Sequence, residues 1–469
     1  MILDRRRAIA AIAVAISVAA TATPANAQPS GLDWRPCAQD ATADCATLLL
    51  PIDHTDPKLG SFPLAVARRK ATDPGKRIGV LMVNPGGPGG SGVSLAVGSN
   101  RLFGAEVLAR FDVIGFDPRG VAASAPIRCS SELLGQNPGE PHDQAGFAAL
   151  AAYNRKLSAD CRHRSGPIFD HADTLSVVHD MDALRDALGE RKVNFLGFSY
   201  GTQIGQQYAQ LFGDRIRTMV LDGNMDHSLP LDRFLRTAAA SGDDALGAFA
   251  RWCESDTACA LHGKDVLKHF DGLLELADQG ALIEGGAGAA STWYVIQKVY
   301  GSLVQGDLRG LAQWLSTLRP GDAARSIGAG TSTHPRAAVF CQDWTPRIAG
   351  YADWQRIVDS ERAAAPQLRY SSEAREAALS CIGWPRKANN PPAPVKFGPG
   401  PAILLVNPAH DPATGLAWAE GLHRQTANRT KLLRVDSIGH TAYPRTDCVR
   451  TAVEDYLVGQ KVPERLTCP

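Results

Sequence analysis

Val193-Asn194-Phe195-Leu196-Gly197-Phe198-Ser199-Tyr200-Gly201 is the stretch whose reading decides the fold. A short apolar run opens it, a serine flanked by two glycines closes it, and a helical pattern follows over 200–211. Strand, sharp turn and helix in immediate succession are the repeating unit of a parallel sheet, because the chain must cross back before the next parallel strand can begin. The glycines have a mechanical reason. Such a turn forces the serine into a strained conformation, a neighbouring Cβ would clash, and the hydroxyl is presented above the sheet at a helix N-terminus. Ser199 is the candidate nucleophile.

The same rhythm extends in both directions. Apolar runs at 78–83, 111–116, 193–197, 218–222, 402–406 and 432–435 are bounded by Gly, Pro, Asn or Asp, as buried parallel strands are, with helical stretches such as 174–188 between them. An antiparallel pair is expected upstream, over 46–51 and 61–69. The fold class is α/β, a mainly parallel sheet with helices on both faces. Between 226 and 395 the alternation stops, and amphipathic patterns predict helices at 231–253, 266–279, 293–304, 308–318, 351–363 and 373–380. This reads as a large helical lid inserted between two parts of a core, 28–225 and 396–469. Its flexible edge is Glu284-Gly285-Gly286-Ala287-Gly288-Ala289-Ala290, and it returns to the sheet through Asn389-Asn390-Pro391-Pro392-Ala393-Pro394.

A serine hydroxyl is a weak nucleophile at neutral pH and needs a base, itself oriented by a carboxylate. Both are expected at the carboxyl ends of later strands. After 402–406, Asn407-Pro408-Ala409-His410-Asp411-Pro412 supplies Asp411; after 432–435, Gly439-His440-Thr441 supplies His440. His410 competes for the base, and Asp222, at the end of the preceding strand, for the acid. A tetrahedral intermediate also needs donors for its oxyanion. The run 78–83 leads into Asn84-Pro85-Gly86-Gly87-Pro88-Gly89-Gly90-Ser91-Gly92, whose glycines let the backbone approach the reacting carbon. The amides of Gly87 and Tyr200 are the expected donors, with Gly86 the near alternative. A phosphate-binding loop is disfavoured, since no G-K-[ST] follows.

With 49 basic and 48 acidic side chains, the chain needs no basic face to reach neutrality, which argues against nucleic acid as a partner. Its 44% apolar and 21% charged residues are those of an ordinary globular protein. Arg5, Arg6 and Arg7, an apolar run at 8–20 and Ala25-Asn26-Ala27 read as a secretory signal peptide at 1–27 with cleavage near Ala27. The run falls short of the roughly 20 apolar residues needed to cross a bilayer, and none later is longer, so no membrane span is expected in the mature chain. The expected location is secreted, extracellular or periplasmic. Ten cysteines in an exported chain read as disulfides, and the loop-closure preference for near neighbours gives Cys37–Cys45, Cys129–Cys161, Cys253–Cys259, Cys341–Cys381 and Cys448–Cys468. No C-x-x-C or H-E-x-x-H occurs, so neither a metal nor another cofactor is expected.

With these residues in place, the chain resembles the α/β-hydrolases of the tripeptidyl aminopeptidase and proline iminopeptidase kind, in particular the secreted branch with a tripeptidyl aminopeptidase C-terminal region. The resemblance rests on the Gly-rich loop at 84–92, Asp112-Val113-Ile114-Gly115-Phe116-Asp117-Pro118-Arg119-Gly120, the Ser199 turn, Phe340-Cys341-Gln342-Asp343-Trp344, Cys381-Ile382-Gly383-Trp384-Pro385, Asp411 and Gly439-His440. Related cytosolic iminopeptidases begin the oxyanion loop with His where this chain has Pro85, so the likeness is closer to the exported enzymes. It implies a serine peptidase that takes short peptides from free N-termini. A secreted carboxylesterase with the same triad is the alternative, so the partner is a small peptide or ester substrate.

An aminopeptidase must hold the substrate's α-ammonium at a fixed distance from the nucleophile, and a partly desolvated lid carboxylate does so with a charge-assisted hydrogen bond. Asp343 is the first candidate, because a disulfide at Cys341 could hold it and Trp344 could line the pocket. Glu254, Asp359 and Glu361 are weaker ones.

Overall fold

A computed structural model describes residues 32–284, 288–321, 326–327, 335–344 and 348–469. The expected signal peptide at 1–27 lies outside the described residues, as does the middle of the Gly-rich edge, 285–287. Strands β1 (Arg35–Pro36), β2 (Asp44–Pro51), β3 (Ser61–Arg69), β4 (Gly79–Asn84), β5 (Phe111–Phe116), β6 (Val193–Phe198) and β7 (Ile216–Asp222) build the first part of the main sheet. β12 (Ile403–His410), β13 (Thr430–Ile438) and β14 (Thr467–Cys468) complete it, while β8 (Leu282–Glu284), β9 (Gly288–Ala290), β10 (Leu318–Pro320) and β11 (Ser326–Ile327) lie in the segment between.

The main sheet has 10 strands in the order β1-β2-β3-β5-β4-β6-β7-β12-β13-β14. Pairing is antiparallel from β1 to β5 and parallel from β5 to β14. After β4 the chain moves one way to β5 and then returns to place β6 on the other side of β4. The carboxyl ends of β4 and β6 therefore meet at a switch point, where open parallel sheets leave a crevice for ligands. The Gly-rich loop at 84–92 leaves β4 there, and the Ser199 turn leaves β6.

Alternate residues along each strand feed opposite layers, as a period of two requires. Met82, Phe195, Leu221 and Leu405 join the core on one face, and Leu81, Val83, Leu196, Val220, Leu404 and Val406 the core on the other. Both faces are covered, which explains why these strands read as unbroken apolar runs.

Between β7 and β12 the chain forms helices Leu231–Ser255, Val266–Asp278, Thr292–Gln305, Leu308–Thr317, Pro335–Asp343, Tyr351–Ala364 and Ser372–Cys381. Six follow the amphipathic pattern. The seventh, Pro335–Asp343, was not expected; its last six residues, Ala338, Val339, Phe340, Cys341, Gln342 and Asp343, are all buried. The all-helical expectation for this segment is corrected by a second sheet of four short strands, ordered β10-β8-β9-β11, in which the Gly-rich edge forms the β8–β9 pair. Five cystines close the chain: Cys37–Cys45, Cys129–Cys161, Cys253–Cys259, Cys341–Cys381 and Cys448–Cys468. Among the described residues no helix is long and apolar enough to cross a membrane.

Candidate active site

Ser199 sits at φ 55°, the left-handed region that a residue with a Cβ avoids. Its surroundings enforce this. A Cβ on Gly197 would lie 2.5 Å from the Gly201 carbonyl oxygen, and one on Gly201 2.7 Å from Asn84 Oδ1, so both glycines of the turn are required by packing. The Ser199 amide donates to the Asp222 carbonyl at 2.9 Å, tying the turn to the end of β7. Among the described residues Ser199 Oγ has no hydrogen-bond partner.

Asp411 and His440 are brought together. The His440 Nδ1 lies 2.9 Å from Asp411 Oδ2 and 3.0 Å from Oδ1. Asp411 is buried, and its carboxylate also accepts from the amides of Ala413, Thr414 and Thr441 and from Thr414 Oγ1. With Nδ1 committed to Asp411, Nε2 is the nitrogen free to exchange a proton. Burial opposes the imidazolium, but the attraction of Asp411 outweighs it, and the His440 pKa ends above its ordinary 6.5. Thr414 lies 3.2 Å from His440 Nδ1 and lines the same cavity as Ser199. A Cβ on Gly223, one residue beyond Asp222, would lie 3.2 Å from His440 Cε1, so the histidine loop and the end of β7 are in close packing.

The two competitors have other partners. Asp222 does not reach the imidazole nitrogen; its buried carboxylate accepts from the amides of Ala442 and Tyr443, and burial pushes its pKa up to about 7. His410 pairs with Asp244 through Nδ1 at 2.7 Å.

The Gly-rich loop packs against the serine turn. At Gly86, φ is 85° and a Cβ would lie 2.4 Å from the Phe198 carbonyl oxygen and 2.8 Å from the Tyr200 nitrogen. The Gly86 amide is engaged by Asn84 Oδ1 at 2.9 Å, whereas among the described residues the amides of Gly87 and Tyr200 have no acceptor. Gly87, Ser199 and Tyr200 line one cleft, which holds about 470 Å³ of empty space, part of it open to solvent. Its lining is mostly apolar, with Met225, Phe234, Phe340, Ala374 and Trp418, and includes the polar side chains of Tyr300, Arg336, Ser371 and Glu373.

Asp343 and Trp344 do not line this cleft. Both are fully buried. Asp343 accepts from Thr174, Gln203, Asn390 and Tyr200, and Trp344 stacks on Phe340 with ring centres 4.7 Å apart. Glu254 and Asp359 are exposed, Glu361 is buried against Arg375 at 2.7 Å, and none of the three lines the cleft. Among the described residues the carboxylate that does is Glu373, on the helix Ser372–Cys381, which the sequence reading did not single out. Its Oε1 pairs with Arg336 at 2.5 Å and its Oε2 accepts from the Tyr300 hydroxyl at 3.4 Å. It is also among the charges that raise the His440 pKa.

A serine on a strained strand-to-helix turn, a histidine on a buried carboxylate and a glycine loop at a switch point define a serine hydrolase on a parallel sheet. The family described as the alpha/beta hydrolase fold matches residues 79–442, and the chain belongs to it. Within that family the chain is 30% identical to "Serine protease Hip1" of Mycobacterium tuberculosis, over 94% of this chain and 91% of that one. It is 29% identical to "Tripeptidyl aminopeptidase" of Streptomyces lividans, over 95% and 88%, and 32% identical to "Carboxylesterase B" of Mycobacterium tuberculosis, over 91% and 86%.

Proposed function

We propose that this chain is an exported aminopeptidase that releases short peptides, tripeptides by its likeness to the tripeptidyl aminopeptidases, from free N-termini. Ser199 Oγ attacks the scissile carbonyl while His440 Nε2 takes its proton, and Asp411 holds the imidazole and stabilises its charge. The tetrahedral oxyanion is met by the amides of Gly87 and Tyr200. His440 then protonates the departing amine, and a water activated by the same histidine releases the acyl-enzyme. Residues 226–395 act as the lid over a core made of 28–225 and 396–469. Export follows from the signal reading of 1–27 and accords with the five cystines.

Glu373 is the observation that carries the peptidase reading. An ester substrate has no use for a carboxylate in the cleft, whereas a peptide's α-ammonium needs one. Glu373 Oε2, with only a long bond from Tyr300, has acceptor capacity left for it. The mostly apolar lining of the cleft suits the side chains of the acyl residues.

The test compares kcat/KM for an Ala-Ala-Pro anilide with a free amine, its N-blocked twin, a single-residue proline anilide and a short-chain ester, with Ser199→Ala as control. A fast free tripeptide and a slow blocked twin are expected. Equal rates on the free and blocked peptides would overturn the reading. A strong preference for the ester would favour a carboxylesterase, the second reading supported by the mostly apolar lining and the 32% relative.

A further inference from the structure

Asp343 is fully buried yet its carboxylate faces five donors: the Thr174 amide at 3.1 Å, Thr174 Oγ1 at 2.5 Å, Gln203 Nε2 at 3.1 Å, Asn390 Nδ2 at 2.7 Å and the Tyr200 phenol. Three of these are N–H groups that can only donate, so the acceptor role of the carboxylate is set by its surroundings. Tyr200 and Gln203 are three residues apart and present one helix face to it, at the start of Gly201–Phe212. Thr174 opens the helix Thr174–Ala187, and Asn390 lies on the return from the inserted segment to the sheet. The Asp343 carbonyl accepts from His227 Nε2 at 2.8 Å, and two residues earlier Cys341 is tied to Cys381. Asp343 is thus held on every side, and it in turn holds the far end of Tyr200, whose peptide amide borders the cleft.

We infer that Asp343 is a positioning residue for catalysis: by gripping the Tyr200 phenol it fixes the orientation of the Tyr200 peptide, so that its amide meets the developing oxyanion. The inference rests on the reading of Ser199 as nucleophile and of the Tyr200 amide as an oxyanion donor. A rigid aromatic ring links the two ends of Tyr200. The carbonyl of the Ser199–Tyr200 peptide is held by the Thr202 amide at 2.9 Å and the Thr202 hydroxyl at 2.6 Å, so releasing the phenol leaves these bonds and the ring's packing and loosens only the anchor at the far end of Tyr200. Oxyanion donors act only when aimed where the charge develops, so a small tilt of this peptide is enough to cost rate. The expected signature is a loss in kcat without a loss in substrate affinity.

Tyr200→Phe removes only the hydroxyl, and Asp343→Asn removes the charge; both are compared with Ser199→Ala on the free-amine tripeptide anilide, with thermal midpoints measured in parallel. Tyr200→Phe is expected to lower kcat about 10-fold with KM within about twofold, since complete loss of one donor costs roughly 10²–10³. Asp343→Asn should lower kcat at least as far, the double variant no further than Asp343→Asn alone, and inactivation by a peptide phosphonate should slow in step with kcat. If Asp343→Asn does not fold, Tyr200→Phe decides alone. An inactive Ser199→Ala together with unchanged kcat in a folded Tyr200→Phe overturns the inference. So does a rise in KM at constant kcat. Turnover retained by Ser199→Ala would instead overturn the underlying reading of the site.

Discussion

The amide of Ser199 donates to the main-chain carbonyl of Asp222 at 2.9 Å. The carboxylate of the same aspartate accepts from the amides of Ala442 and Tyr443 at 2.9 and 2.7 Å. One residue at the end of β7 therefore sets the serine turn against the loop that follows His440. Asp222→Asn keeps the carbonyl bond but turns an NH₂ group toward two amides that need an acceptor. It should lower kcat/KM by about 10–100-fold and stability by about 1–3 kcal/mol. Asp411→Asn, which withdraws the carboxylate from the imidazole itself, should cost more, on the order of 10⁴ in kcat. Steady-state kinetics with denaturant unfolding of both variants checks the order; an Asp222→Asn enzyme with wild-type rates would show that the loop is held by other contacts.

Both groups also shape the response to pH. In the proposed mechanism His440 must be neutral to accept the Ser199 proton, so its raised pKa should place the acid limb of kcat/KM above 6.5. For stability, Asp222 moves from 3.8 to about 7 on folding because it is buried, so between those values the folded chain keeps a proton that the unfolded chain has released. Stability falls as pH rises across that interval. His440 has the same sign: its stabilisation is complete below 6.5 and is lost as pH rises through the folded pKa. His179 and His423, lowered by burial, act oppositely below their ordinary 6.5, and Asp40, lowered to about 2 chiefly by its bonds to Thr42, does so only at pH below its ordinary 3.8. The thermal midpoint should therefore be higher at about pH 5 than at about pH 8, and Asp222→Asn should narrow the difference. Glu361, raised to about 7 by burial, will leave a residual slope.

What was legible in the sequence follows from how local each constraint is. The serine turn was readable because Gly197 and Gly201 have no room for a Cβ within a few residues of Ser199. Asp411 and His440 stood out because each follows an apolar strand at its carboxyl end. Asp343 was judged by its immediate neighbours, a cysteine and a tryptophan, and these say nothing about the direction in which the helix Pro335–Asp343 points it. That helix was itself hidden, since it spans only nine residues and its buried end includes the polar Gln342 and Asp343, which a reading that places polar residues outside does not expect. Glu373 looked like any polar residue on an amphipathic helix. Only the packing of Ser372–Cys381 beside Tyr300 and Arg336, distant in sequence, turns it into the cleft.

The Gly-rich loop, the proposed source of an oxyanion donor, offers a sharper test than its glycine count suggests. Gly86→Ala would set a methyl 2.4 Å from the Phe198 carbonyl oxygen, at a φ of 85° that alanine resists. Relief must come from moving either the loop or the serine turn. We expect a loss of about 1–3 kcal/mol in stability and roughly 10²-fold in kcat, since small misplacements of an oxyanion donor are costly. Gly139→Ala is the control: its φ is 80°, but no atom lies within 4 Å of the added methyl, so it bears the backbone strain without the clash. Gly86→Ala with activity equal to this control would mean that the loop can yield without displacing Gly87.

Glu373 divides the two proposed substrate classes most directly. Replacement by Gln keeps the shape and the bond from Tyr300 but removes the charge. A charge-assisted hydrogen bond of about 1.5–3 kcal/mol corresponds to a 10–150-fold rise in KM for a free-amine tripeptide anilide. The N-blocked twin and the short-chain ester have no ammonium to lose, so their KM should stay within twofold. Arg336, which pairs with Glu373 Oε1, supplies the internal check. Arg336→Gln leaves Glu373 with an uncompensated charge facing the cleft, and should tighten binding of the free-amine peptide at low salt rather than weaken it. Glu373→Gln that slows all three substrates equally would point instead to its field at His440, to whose raised pKa it contributes.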